Sequence, residues 1–173
     1  MWLLLKNLLF TVLVPGFVAG WVPFVFLLRR TPPPPAGSWP YWLAAPLLLA
    51  GVLVYLACVW VFATNGRGTP APIDPPKKLV TRGLYRWVRN PMYLGILLVV
   101  LGETVLFRHL TLLLYLVFLA SAFQVFVVAY EEPVLRQRYG ALYSDYCHRV
   151  NRWWPGRPRP TLQTVPPFPT GQP

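Results

Sequence analysis

Apolar runs over residues 2–28, 41–63, 92–107 and 110–130 are parted by short polar or proline-rich connections. A helix needs about 20 mostly apolar residues to cross roughly 30 Å of hydrocarbon. The pattern therefore predicts an all-α integral membrane protein with about four transmembrane helices, the third of them short. Only Arg108 and His109 separate the third run from the fourth, which predicts a tight helical hairpin with its polar tip at the far membrane face. RRTPPPPAGSWP after the first run reads as a polyproline-prone spacer, and NGRGTPAPIDPPKK after the second as an irregular loop of turn formers. Beyond the fourth run, Leu135, Tyr139, Leu142, Tyr143 and Tyr146 recur near helical spacing in EEPVLRQRYGALYSDY, as on an amphipathic helix lying over the span ends. Residues 1–155 read as a single membrane domain and 156–173 as a proline-rich, disordered tail.

Composition agrees with the pattern: 55% of the 173 residues are hydrophobic and 12% charged. Charge then sets the orientation. All the Lys and Arg residues except Arg29, Arg30 and Arg108 fall on one side of a four-span arrangement, and the positive-inside rule makes that side cytoplasmic, with both termini and the amphipathic helix on it. VAG at 18–20 is a weak signal-cleavage site, but the apolar run continues past it, so an uncleaved span is expected. The net charge of +11 suits anionic lipid headgroups. Nucleic acid is not the expected partner, because every basic run has long apolar neighbours and no zinc, helix-turn-helix or RNP signature is present.

Chemistry concentrates at two punctuated edges. RNPMY at 89–93 opens the third run, and YEEP at 130–133 closes the fourth. A hairpin brings them to the same face, where opposite charges attract. Arg82, Arg86 and Arg89, at i, i+4 and i+7, would share one face of a short helix. Asn90 and Pro91 suit the cap and first turn of the third helix, and a helix N-terminus beside Arg89 also suits an anion. Glu131 and Glu132, two of only five acids in the chain, oppose the dipole at a helix C-terminus and call for a cationic partner, either the arginines or a ligand. Glu103 is expected to pair with Arg108 near the interface. Cys58 and Cys147 read as ordinary thiols, and His109 and His148 lack neighbours at metal-ligand spacing, so no metal site is expected.

GLYRWVRNPMYLG at 83–95, the glutamates at 131 and 132, and YGALYSDYCHRVNRWWP at 139–155, in this order, resemble the isoprenylcysteine carboxyl methyltransferase family. These small integral-membrane enzymes include relatives of phospholipid N-methyltransferases. The resemblance covers about residues 80–155. It implies S-adenosylmethionine as cofactor, held by Arg89, Asn90, Pro91, Tyr93, Gly95, Glu131, Glu132, Tyr143 and Tyr146, and a lipophilic acceptor entering from the bilayer. A carboxylate acceptor would be positioned by Arg149, with Arg152 second; an amine or thiol acceptor would need a base, for which Glu132 and His148 are the candidates. A lipid- or partner-binding module without activity is the remaining reading. The family's usual Arg-His-Pro carries Asn90 at the histidine, and Asn151 replaces the proline of its Arg-Val-Pro-Arg-Trp. Asparagine keeps a donor and an acceptor but does not titrate near neutral pH.

Overall fold

The computed structural model describes residues 15–29, 31–66 and 79–156. The expectations for residues 1–14, for most of the basic loop and for the tail from 157 onward lie outside them. Among the described residues the fold is helical and has no strand, only an isolated parallel bridge between Val88 and Asn151. Widened helical stretches over Phe17–Trp21 and Pro23–Leu28 come first, followed by helices α1 (Trp39–Val61), α2 (Pro91–Phe107), α3 (Leu110–Phe126), α4 (Glu132–Tyr139) and α5 (Ala141–Arg149).

Two helical rods, Trp39–Thr64 and Leu110–Tyr139, are long and apolar enough to cross a membrane. Only 17% of the most apolar window of each is buried inside the protein, so their hydrophobic surface faces outward, as lipid contact requires. The apolar helix between them, α2, has 17 residues. Proline opens both α1 and α2 within the first turn, where its missing N–H costs no helical hydrogen bond.

The predicted hairpin is formed. Arg108 adopts a left-handed conformation (φ 50°, ψ 38°) and its N–H closes α2 on the Thr104 carbonyl at 2.9 Å. His109 is extended and accepts the Thr111 N–H through Nδ1 at 3.3 Å, which starts α3. The expected Glu103–Arg108 pair is not formed. The Arg108 guanidinium lies 5.6 Å above the Trp39 ring, an arrangement that leaves the cation exposed while still using its charge, and Glu103 Oε2 is buried without a hydrogen-bond partner.

The most extensive contact in the fold is α1 on α2, and glycine permits it. A Cβ on Gly51 would lie 2.7 Å from the Gly95 carbonyl oxygen and 2.8 Å from Val99, and one on Gly102 would meet Leu48 at 2.8 Å. The backbones touch, and neither partner can retreat without separating the helices. Gly51→Ala is accordingly expected to lower stability by about 1–3 kcal/mol, the usual cost of overpacking, measurable as a lower melting temperature in detergent; an unchanged midpoint would show that the helices part freely. Gly95, assigned to cofactor binding on resemblance, sits in this crossing, with Gly51 and Tyr55 where its side chain would be.

The fourth run departs from expectation at its end. The helix does not stop at YEEP but continues from α3 through a widened turn, Val127–Glu131, into α4. Pro133 explains the widening: its ring would clash with the preceding turn and it has no N–H to give, and a π-helical turn accommodates both faults. Glu131 and Glu132 are therefore not at a helix C-terminus, and the dipole argument does not apply to them. The predicted C-terminal amphipathic helix is also broken in two. Gly140 takes φ 52°, ψ −129°, a conformation that suits glycine alone, and α5 turns back beneath the helix ends. Tyr143, Tyr146 and Val150 form a small second core there with Leu79, Leu135, Tyr139 and Cys147 around it.

Candidate active site

Residues 79–90 approach α2 in a form that helical spacing did not anticipate. Gly83 has φ +60°, with Val61 only 2.8 Å from where its Cβ would be, so the chain makes one tight 3₁₀ turn, Gly83–Arg86, and then runs extended. Arg82, Arg86 and Arg89 consequently do not share a helical face. Arg82 and Arg86 are exposed, and Arg89 turns inward.

Inside, Arg89 meets Glu132. Arg89 Nη1 donates to Glu132 Oε1 at 3.0 Å and approaches Cys147 Sγ at 2.8 Å. Arg152 closes on the same carboxylate as a fork, Nε to Oε1 at 2.7 Å and Nη2 to Oε2 at 3.0 Å, while Arg136 stands 3.7 Å from Oε2. Glu132 is buried, with its side chain 6% exposed. Three guanidinium groups thus converge on one desolvated carboxylate, geometry in which burial is offset by charge-assisted hydrogen bonds. The hydrogen bond that Arg152 donates to Glu132 also raises the Arg152 pKa above its usual range. The two edges do meet, as their opposite charges predicted, but Glu132 is satisfied within the protein.

Glu131, the next residue, is not. Its Oε2 accepts from the Tyr93 hydroxyl at 2.8 Å, and among the described residues it makes no ion pair. It lines a cavity of about 110 Å³ together with Arg89, Asn90, Tyr93, Phe62 and Phe123. The wall is aromatic where Tyr93 stacks at a tilt on Phe123 (4.7 Å) and edge-on to Trp153 (6.4 Å). Arg89 Nε, on the same lining residue, is buried with no partner. The Glu131 carboxylate, which has no ion pair among the described residues, and the Arg89 side chain therefore line one concave site. Each is costly to leave alone in the interior, and together they suit a ligand carrying both a cation and an anion.

The other sequence candidates divide. Pro91 is buried at the start of α2 and holds the turn that aims Tyr93. Asn90 occupies the cap position, yet its side chain makes no capping bond; Nδ2 donates to the Arg152 carbonyl at 3.3 Å. Tyr143 and Tyr146, expected at the cofactor, are buried in the second core instead, 3% and 4% exposed, with the Tyr146 hydroxyl on the Tyr85 carbonyl at 2.7 Å. Burial pushes all three phenols, Tyr85, Tyr143 and Tyr146, above their ordinary range, so they act as neutral packing and hydrogen-bonding groups. Arg149 is exposed on α5 and forms no ion pair among the described residues. Reading the sequence missed Cys147 beside Arg89, Phe123 in the wall, and the Trp153–Gln124 hydrogen bond (2.6 Å). Their meeting depends on the hairpin at Arg108 acting together with the reversal at Gly140, and only the first of these is encoded in local spacing.

Comparison of the chain with curated proteins and with solved structures gave no significant match. The sequence profile described as phospholipid methyltransferase matches residues 39–142. The matched region runs from the first residue of α1 into α5 and contains Arg89, Asn90, Tyr93, Phe123, Glu131 and Glu132. The RVNRW segment lies beyond it. Matched by that profile over more than half its length, the chain belongs to the phospholipid methyltransferase family.

Proposed function

We propose that the protein is an S-adenosylmethionine-dependent membrane methyltransferase acting on a lipophilic acceptor, with four spans and with the cavity and both termini on the cytoplasmic side. The observation that carries the reading is the pairing of opposites in the cavity: Glu131, with no ion pair among the described residues, and the Arg89 side chain line it together. When bound, the cofactor supplies an electrophilic methyl group on a sulfonium, and its amino-acid end carries an ammonium and a carboxylate. Glu131 would hold cationic charge, the buried Arg89 Nε would donate to the carboxylate, and the Tyr93 and Phe123 faces would lie against a sulfonium. The aromatic wall excludes water, which strengthens each of these contacts and aids a reaction in which charge is redistributed. Arg82 and Arg86, exposed on the approach to the site, favour anionic headgroups at the same face.

The acceptor follows from the cations. A carboxylate acceptor needs a guanidinium to position it, yet Arg89 and Arg152 are committed to Glu132 and Arg149 does not line the cavity. An amine acceptor needs its proton removed before it can attack. Glu132, encircled by arginines, is a poor base, which leaves Glu131, the carboxylate that also faces the cofactor, as the group to take that proton. The amine of a phospholipid is therefore favoured over a prenylated carboxylate or a small thiol. Incubating purified protein with methyl-labelled cofactor and a lipid extract is expected to give base-stable, amine-linked label in the lipid fraction. Base-labile label would move the acceptor to a carboxylate, and no incorporation would overturn the enzymatic reading.

A further inference from the structure

The segment 150–156 crosses the helix ends as a strap. Its backbone is bonded to the approach of α2 at both ends: the Arg89 N–H donates to the Asn151 carbonyl and the Gly156 N–H to the Trp87 carbonyl, each at 2.9 Å. Between these two bonds the Asn90 amide donates to the Arg152 carbonyl. Asn90 is 7% exposed, and a carbonyl can only accept, so this bond fixes the nitrogen of the amide toward the strap. The side chain thereby forgoes the capping bond that asparagine ordinarily makes at this position. Arg152 is the residue so held, and its guanidinium forks onto Glu132.

We infer that Asn90 is a positioning residue: by holding the Arg152 carbonyl it sets the strap at the height from which Arg152 reaches Glu132. With Arg152 and Arg89 both on Glu132, neither of them reaches across to Glu131, and that carboxylate stays open to the cavity. The requirement at position 90 is a buried donor aimed at a carbonyl, and titration plays no part. A histidine there meets the requirement through a ring N–H, whether neutral or protonated. An aspartate does not, because it turns an acceptor on an acceptor. The effect on the site rests on the cofactor-pocket reading above; the strap lock itself does not.

Hydrogen exchange on the full chain in detergent separates the two. In Asn90→Asp and Asn90→Leu the amides of Arg89 and Gly156 are expected to exchange about five- to tenfold faster than in the parent, the range that loss of one buried hydrogen bond allows. Asn90→His should exchange like the parent, with an affinity for S-adenosylmethionine that is flat between pH 6 and 8, roughly the range over which histidine titrates. Affinity in the Asp and Leu variants should fall by a similar factor. Unchanged exchange in those two variants overturns the lock, as does a loosened strap in Asn90→His when its melting profile matches the parent's. Faster exchange with unaltered affinity overturns the coupling to the site. A parent that binds no cofactor sinks the proposed function, and the exchange result then still decides the lock.

Discussion

Removal of the Glu132 carboxylate by Glu132→Ala is expected to destabilise the protein by about 3–5 kcal/mol, the usual cost of stripping one partner from a buried ion pair. The size of the effect lies in what is left behind. Arg89 has 12% of its side chain exposed and would keep only Cys147 as a near neighbour. Arg152, 30% exposed, would lose both arms of its fork and release the strap. Arg136, 62% exposed and 3.7 Å away, should contribute little, since an exposed pair is screened by water. Glu132→Gln preserves shape and one acceptor but turns an amide N–H toward a guanidinium, so a smaller loss is expected. Thermal unfolding in detergent without added ligand measures both. A midpoint for Glu132→Ala within a degree or so of the parent would mean that the three arginines find water as good a partner.

The neighbouring substitution should behave in the opposite way. Glu131→Gln keeps an oxygen for the Tyr93 hydroxyl and removes no ion pair, so its melting temperature should stay near that of the parent. Its affinity for S-adenosylmethionine should fall about 10- to 100-fold, because a hydrogen bond to a charged group contributes about 1.5–3 kcal/mol and each 1.4 kcal/mol is tenfold. Calorimetric titration of both variants reads the contrast directly. Equal affinity in Glu131→Gln and the parent would remove Glu131 from the site and with it the main support for cofactor binding there. On these outcomes the two adjacent glutamates would divide into one that holds the fold and one that holds the ligand.

That division was not visible in EE as a dipeptide. Both residues invited the same question, whether the cation they need is an arginine or a ligand; Glu132 meets three arginines, whereas Glu131 lines the cavity with no ion pair among the described residues. The reason is the widened turn before Pro133, which sends Glu132 under the strap and Glu131 toward Tyr93. Tyr143 and Tyr146 illustrate the opposite error. Their helical spacing correctly marked a buried stripe, but resemblance placed them at the cofactor, whereas the turn at Gly140 folds them into a second core. Arg82, Arg86 and Arg89 share a helical period that the chain never uses, because Gly83 directs it into a single tight turn and an extended approach.

What the sequence determined by itself was the helical class, the apolar rods suited to lipid, the two-residue hairpin at Arg108 and His109, and the family. These rest on local pattern: hydropathy over about 20 residues is enough to select a span, and a motif needs only residue type and order. Tertiary structure alone decided which charges are spent on one another and which remain for a ligand. Arg89, Arg152 and Glu132 lie as far as 63 positions apart in the chain numbering, and their convergence depends on the close crossing at Gly51 and Gly95, the π-turn before Pro133 and the strap held by Asn90. Electrostatic satisfaction is a property of distance and burial, and neither is written in the order of residues.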